Sequence, residues 1–194
     1  EQRGLYDNTW IFFFSDHGMG LPRGKRWLHD GGLRVPLLVR FPPKYQHLAP
    51  GKPGDSEDRL VSFVDYAPTM LSLLGVEIPK YMEGAAFLPE KEAPRRKWVL
   101  GIRDRVDEVV FFSRTIHDGR YQYIRNFKPH RPRMSYCEYS ERTPIRQELR
   151  RLDAEVKLKG NHAWLMQRRT PPEEFYDTKN DPYQFNNLAL DPEY

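Results

Sequence analysis

Apolar residues come in short bursts along this chain, and the spacing inside each burst predicts its element. The first burst, Trp10-Ile11-Phe12-Phe13-Phe14, is aromatic and bounded by polar residues and glycine. Such a run predicts a buried strand over residues 9–15. Val35-Pro36-Leu37-Leu38-Val39-Arg40-Phe41 predicts the next strand, ended by Pro42-Pro43, and a proline is tolerated at a strand's start. Between them, residues 16–34 carry Gly18, Gly20, Gly24, Gly31 and Gly32 and predict a loop. Residues 44–59 are polar and predict a surface loop. Residues 60–64 predict a short strand. Pro68 then opens a helix over about 67–74, with Gly75 as its stop and Asp65 as a candidate cap.

From Met82 to Arg96 the chain is rich in proline and charge, which places a domain boundary near residue 90. The expected division is 1–90 and 91–194. Beyond it, residues 97–102 predict a strand. Residues 109–116 and 121–125 predict a hairpin around His117-Asp118-Gly119-Arg120, since Asp-Gly is a strong hairpin-turn signal. Ile145, Leu149, Leu152 and Val156 recur at helical spacing after Pro144, predicting a helix over 143–157 with one buried face. Phe175-Tyr176-Asp177 predicts a last strand, and Pro182 a terminal helix.

Composition narrows the picture. The 194 residues are 39% apolar, low for a domain that closes its own core. The net charge of +4 suits an anionic partner, but no RNA-binding motif, zinc-finger spacing or basic repeat occurs, so nucleic acid is not expected. The single cysteine, Cys137, excludes an internal disulfide framework. No run of 18 apolar residues exists, so no membrane span is expected.

The candidate chemistry lies in the glycine-rich loop. Asp16 offers a carboxylate and His17 an imidazole, both metal-type ligands, at the end of a strand. Neighbouring strand residues point to opposite sides, so both meet one ion only where the strand breaks, and Gly18 permits that break. Lys25 follows as a compact cation able to bind an anionic ester oxygen and the charge that develops on it. Arg23 and Arg26 beside it are expected in solvent. Asp30 and Arg34, four residues apart, are expected to pair structurally. His29 is placed to reach a substrate from the loop. Arg103 and His130, in cation-rich segments expected to be loops, are candidates for charge-assisted hydrogen bonds to a ligand.

These residues carry a resemblance. Asp16-His17-Gly18, the stretch Gly24-Lys25 through Asp30-Gly31-Gly32-Leu33-Arg34-Val35-Pro36, Val64-Asp65-Tyr66-Ala67-Pro68-Thr69-Met70-Leu71, and Glu174-Phe175-Tyr176-Asp177 through Asp181-Pro182 to Asn187-Leu188-Ala189 together resemble the sulfatase family of the alkaline-phosphatase-like superfamily. The family's usual Glu is replaced by Asp30. The resemblance implies an α/β fold: the C-terminal part of an alkaline-phosphatase-like sandwich, plus a small subdomain with an antiparallel sheet. It implies a divalent metal, calcium by family habit, held partly by Asp16 and His17, with Lys25 on the sulfate. His17 also suits zinc, manganese or iron. The family's nucleophile, a formylglycine in a Cys/Ser-x-Pro/Ala-x-Arg motif, has no counterpart in these residues. The expectation is a C-terminal part whose nucleophile and remaining metal ligands lie in an N-terminal part of the same enzyme. The implied substrate is a sulfated sugar or oligosaccharide, as a sulfate ester or a sulfamate. A periplasmic, secreted or lysosomal location is favoured by the resemblance. The alternatives are a phosphodiesterase or phosphonate monoester hydrolase of the same superfamily, and a non-catalytic relative that binds sulfated glycans.

Overall fold

The computed structural model describes residues 2–89 and 94–194. The chain divides into two compact units, residues 1–15 with 36–99, and residues 16–35 with 100–194. The glycine-rich loop is thus part of the second unit. The boundary expected near residue 90 lies outside the described residues.

In the first unit, β1 (Ile11–Phe14) pairs antiparallel with β2 (Leu37–Arg40), Ile11 facing Arg40 and Phe14 facing Leu37. Alternation sends Phe12 inward with Trp10, Leu37 and Val39, against a core of Leu73, Phe87 and Leu88. The opposite face is not buried in this unit: Phe13 is 63% and Leu38 58% exposed. The sequence predicted a buried strand; β1 instead has one partner strand and one packed face.

The strand expected over 60–64 does not form. Asp65 captures this backbone instead. Its carboxylate accepts from the Ser62 N–H at 2.9 Å, and Phe63–Asp65 winds into a 3₁₀ turn. The helix α2 (Tyr66–Leu73) follows, with Pro68 in its first turn as expected. It ends where Gly75 adopts φ 69°, and Val76 N–H reaches back to the Leu71 carbonyl at 2.9 Å, a Schellman-type stop.

The second unit is built on an antiparallel sheet in the order β3 (Val99–Val106), β4 (Val109–His117), β5 (Tyr121–Asn126), β6 (Glu173–Asp177). The predicted hairpin joins β4 to β5. Asp118 accepts from the Arg120 and Tyr121 N–H groups at 2.9 and 2.7 Å, and Gly119 takes φ 101°. Ser113 pairs with Asn126 across this hairpin, and Ile124 pairs with Glu174 across the next ladder. Alternation buries Ser113, Thr115, Gln122, Ile124, Asn126, Glu174 and Tyr176 on one face, an inner face unusually rich in polar groups.

Helices pack around this sheet. One turn, α1 (Asp30–Leu33), forms inside the glycine-rich loop, and a second short one is α3 (Glu138–Glu141). The predicted long helix is α4 (Pro144–Ala154), and α5 (Gly160–Leu165) follows it. The buried stripe of α4 is narrower than expected. Leu149 packs with Met134, Leu165 and Met166, whereas Ile145 is 40% exposed and Val156, beyond the helix end at φ 55°, is 89% exposed. No helix forms after Pro182. Gln184 takes φ 56°, and the Asp181 carboxylate accepts from the Asn186 N–H at 2.7 Å, turning the backbone instead. Among the described residues, no helix is long and apolar enough to cross a membrane.

Candidate active site

The loop 16–35 is held by close backbone packing. Gly18 N–H donates to the Gly32 carbonyl at 3.0 Å, and Lys25 N–H to the Met19 carbonyl at 2.7 Å. A Cβ on Gly18 would lie 1.8 Å from the Gly31 carbonyl oxygen, and one on Gly32 2.3 Å from that of Trp27. Both glycines are required by proximity rather than by an unusual φ.

The loop is also pinned by the last segment of the chain. Asp30 N–H donates to Gln184 Oε1 at 2.7 Å, Gln184 donates in turn to Gln122, and Gln122 Nε2 donates to the Leu28 carbonyl at 2.7 Å. Arg23 donates to the backbone carbonyls of Tyr183 and Gln184 and lies over both Trp164 and Phe185, 4.5 and 4.3 Å from their ring centres. The 24–36 and 174–189 stretches, far apart in sequence, therefore form one substructure.

Asp16 and His17 sit at the entry to this loop. His17 Nδ1 lies 2.7 Å from the Gly18 carbonyl. A carbonyl only accepts, so Nδ1 carries a proton. Its Nε2 is 3.6 Å from Asp16 Oδ2, and the carboxylate is 82% exposed. A histidine oriented through its other nitrogen and set beside a carboxylate is how imidazole ligands of metals are arranged. The two residues therefore fit a divalent ion. They provide two ligands; among the described residues no third histidine, cysteine or carboxylate joins them. Among the described residues, the triad with ligand-like spacing is Asp107, Glu108 and Cys137. Arg26 already reaches into it, 2.8 Å from Asp107 and 3.5 Å from the Cys137 sulfur, and pairs with one of its two carboxylates.

Lys25 is half-buried, and among the described residues its ammonium pairs with no carboxylate. Its Nζ stands 5.8 Å from the centre of the Tyr139 ring. The residues on either side of Gly24-Lys25 have left-handed backbones, Arg23 at φ 66° and Arg26 at φ 76°. Non-glycine residues adopt that conformation only when their surroundings compel it. The compulsion comes from their side chains. Arg23 is clamped as described, and Arg26 is clamped by Asp107 and lies 4.4 Å above the Tyr139 ring. These two arginines are anchors of the loop and not the solvated residues expected from sequence. Their partners lie 81–161 residues away, beyond any local signal. The expected Asp30–Arg34 pair is long, at 3.9 Å, and Arg34 is largely exposed.

The remaining candidates separate. His130 is exposed on a turn. Arg103 lies within β3 rather than in a loop, with its guanidinium 3.3 Å from the Phe111 ring centre. His29 is 3% exposed and lies among the rings of Trp27, Trp164 and Tyr176, underneath the loop rather than on its surface. Burial lowers its pKa, which favours the neutral ring. Beside it is Glu174, which the sequence reading placed in the 174–189 stretch without giving it a role. Its carboxylate accepts from Asn126 at 2.7 Å, Arg133 at 2.9 Å and Tyr176 at 2.6 Å. Its position two residues from Tyr176 on a strand, both facing inward, is the local clue to it.

An imidazole and a carboxylate thus lie side by side just after a strand end, and the lysine that follows in the glycine-packed loop forms no ion pair among the described residues. The family model described as "Sulfatase" matches residues 1–76. An ulvan-active sulfatase of Formosa agariphila is 41% identical over 194 residues, covering 100% of this chain and 32% of that protein. An N-acetylglucosamine-6-sulfatase of Bos taurus is 38% identical over 229 residues, covering 100% of this chain and 34% of the relative. A solved structure of a protein in complex with its substrate D-glucosamine-2-N,6-O-disulfate matches with a TM-score of 0.67 at 24% identity, covering 100% of this chain and 32% of that one. The chain belongs to the sulfatase family. It spans about a third of the length of the curated relatives it matches.

Proposed function

We propose that this protein is a sulfuric ester hydrolase that removes sulfate from a sulfated glycan, as an ester or a sulfamate. What supports the reading is the similarity to an ulvan-active sulfatase along the whole chain. In this reading Asp16 and His17 are ligands of a divalent ion, calcium by family habit. A bound ion would supply positive charge to the sulfate oxygens. Lys25 binds a sulfate oxygen and offsets charge that develops on the ester oxygen as the bond breaks. Arg23, Arg26 and Gly18 hold that lysine and the ligand pair in place, so little reorganisation is needed when substrate arrives. His130 is the exposed candidate for a sugar contact, whereas Arg103 and His29 act beneath the loop. The attacking group is a formylglycine outside these residues, in an N-terminal part of the enzyme.

The test is release of inorganic sulfate from ulvan oligosaccharides, glucosamine 6-sulfate and N-sulfoglucosamine. It is made with the longest natural polypeptide containing these residues, with calcium present. Sulfate release from at least one is expected. Phosphate release from phosphodiesters or phosphonate monoesters, with no sulfate release, would replace the reading with the alternative chemistry of the superfamily.

A further inference from the structure

A small cavity beneath the Lys25 loop holds more positive charge than its one carboxylate balances. Its volume is about 30 Å³, and His29, Arg103, Lys128, Arg131, Arg133 and Glu174 are among its walls. Glu174 is fully engaged: Oε1 accepts from Asn126, and Oε2 accepts from Arg133 and Tyr176. Among the described residues, Arg103, Lys128 and Arg131 form no ion pair. The Nε atoms of Arg103 and Arg131 are buried without a hydrogen-bond partner, and so are both ring nitrogens of His29. His29 Nε2 stands 3.6 Å from Glu174, too far for a hydrogen bond.

The imbalance is largest at Arg103. Its burial, together with the like charges of Arg146 and Arg26, lowers its pKa to about 9. Guanidinium groups keep their proton in proteins, so relief has to come from an anion. A single water would satisfy some of the donors but none of the charge. The room available, about 30 Å³, admits a water or a compact anion.

We propose that this cavity is a binding site for a monatomic anion, chloride in practice, held by Arg103 Nε, Arg131 Nε and the His29 N–H. A halide is compact, carries one charge and accepts several N–H donors from any direction. The walls include Trp27, Leu28 and His29, two to four residues after Lys25, so the bound anion braces the loop from beneath. The site stands independently of the sulfatase reading.

Thermal melting in sodium chloride, compared with sodium gluconate at equal ionic strength, tests it. Each tenfold rise in chloride above its dissociation constant should raise the midpoint by about 3–6 °C, with no rise in gluconate. Arg103→Met and Arg131→Met should lose the chloride-specific rise, and the exposed Arg169→Met should keep it. Bromide-soaked crystals of the unaltered protein provide a second measurement, independent of how the variants fold. An anomalous peak in contact with Arg103 Nε is expected. Equal midpoints in the two salts with no bromide peak, the result for a cavity holding water alone, would overturn the proposal. A sulfate or glycan group found there in place of a halide would also overturn it.

Discussion

Asp65 in the first unit and Glu174 in the second are both buried carboxylates clamped by arginine, yet their surroundings are balanced differently. Asp65 is 1% exposed and accepts from two backbone N–H groups, of Ser62 and Ala85, each at 2.9 Å. Arg96 closes the arrangement with two hydrogen bonds, one of them at 2.7 Å from Nε. One acid meets one base, and the partners lie within 31 residues of each other. Glu174 is equally buried, but two of its partners, Asn126 and Arg133, lie 48 and 41 residues away, and cations remain nearby that it does not neutralise. A local acid–arginine clamp organises a turn. A non-local one organises the floor under the glycine-rich loop.

The strongest way to break this comparison is to remove the central acid. Glu174→Ala leaves Arg133 buried and unpaired, with both side chains only 2% exposed, and should cost about 3–5 kcal/mol of unfolding free energy. Denaturant titration measures it; a loss below 1 kcal/mol would show that the network is not the floor of the loop. The same removal in the first unit should cost less. Arg96 is 31% exposed and regains water when Asp65→Asn removes its partner, so about 1–3 kcal/mol is expected from the same titration. A loss equal to that of Glu174→Ala would erase the distinction between the two clamps.

Acid sharpens the comparison further and has a smaller effect near neutrality. Burial works against the Asp65 charge, but the hydrogen bonds from Arg96, Ser62 and Ala85 outweigh it and hold the pKa below the usual carboxylate value. A carboxylate depressed in the folded state contributes stability above its unfolded pKa, about 3.9, and loses it as pH falls through the folded value. Asp177, lowered by its hydrogen bond to Arg120, has the same sign. The melting midpoint should therefore fall below about pH 4, and Asp65→Asn should flatten part of that fall. An unchanged acid limb in the variant would remove Asp65 from the account.

The parts legible in the sequence are those fixed by near neighbours. The β4–β5 hairpin follows from alternation around Asp118-Gly119, and α2 from Pro68 and Gly75. The Asp16, His17 and Lys25 motif is visible as spacing, and the structure adds the hydrogen bond of His17 to the Gly18 carbonyl and the left-handed backbones beside Lys25. What sequence missed depends on distant partners. Arg23 and Arg26 look like solvated loop residues until Gln184 and Asp107 are brought to them. His29 looks accessible until the sheet is placed beneath it. The strand expected over 60–64 failed for a local reason, since Asp65 competes successfully for the Ser62 N–H.

The most direct test is turnover of a sulfated glucosamine by the unaltered protein and by Lys25→Ala, in the longest natural polypeptide that carries these residues. Removing one preorganised positive group from a site where charge develops should lower kcat by about 10²–10³-fold. Metal binding and the melting midpoint should stay as they were. Turnover within a few-fold of the unaltered protein would contradict the role of Lys25, and with it the reading of the loop as the anion-binding half of the site.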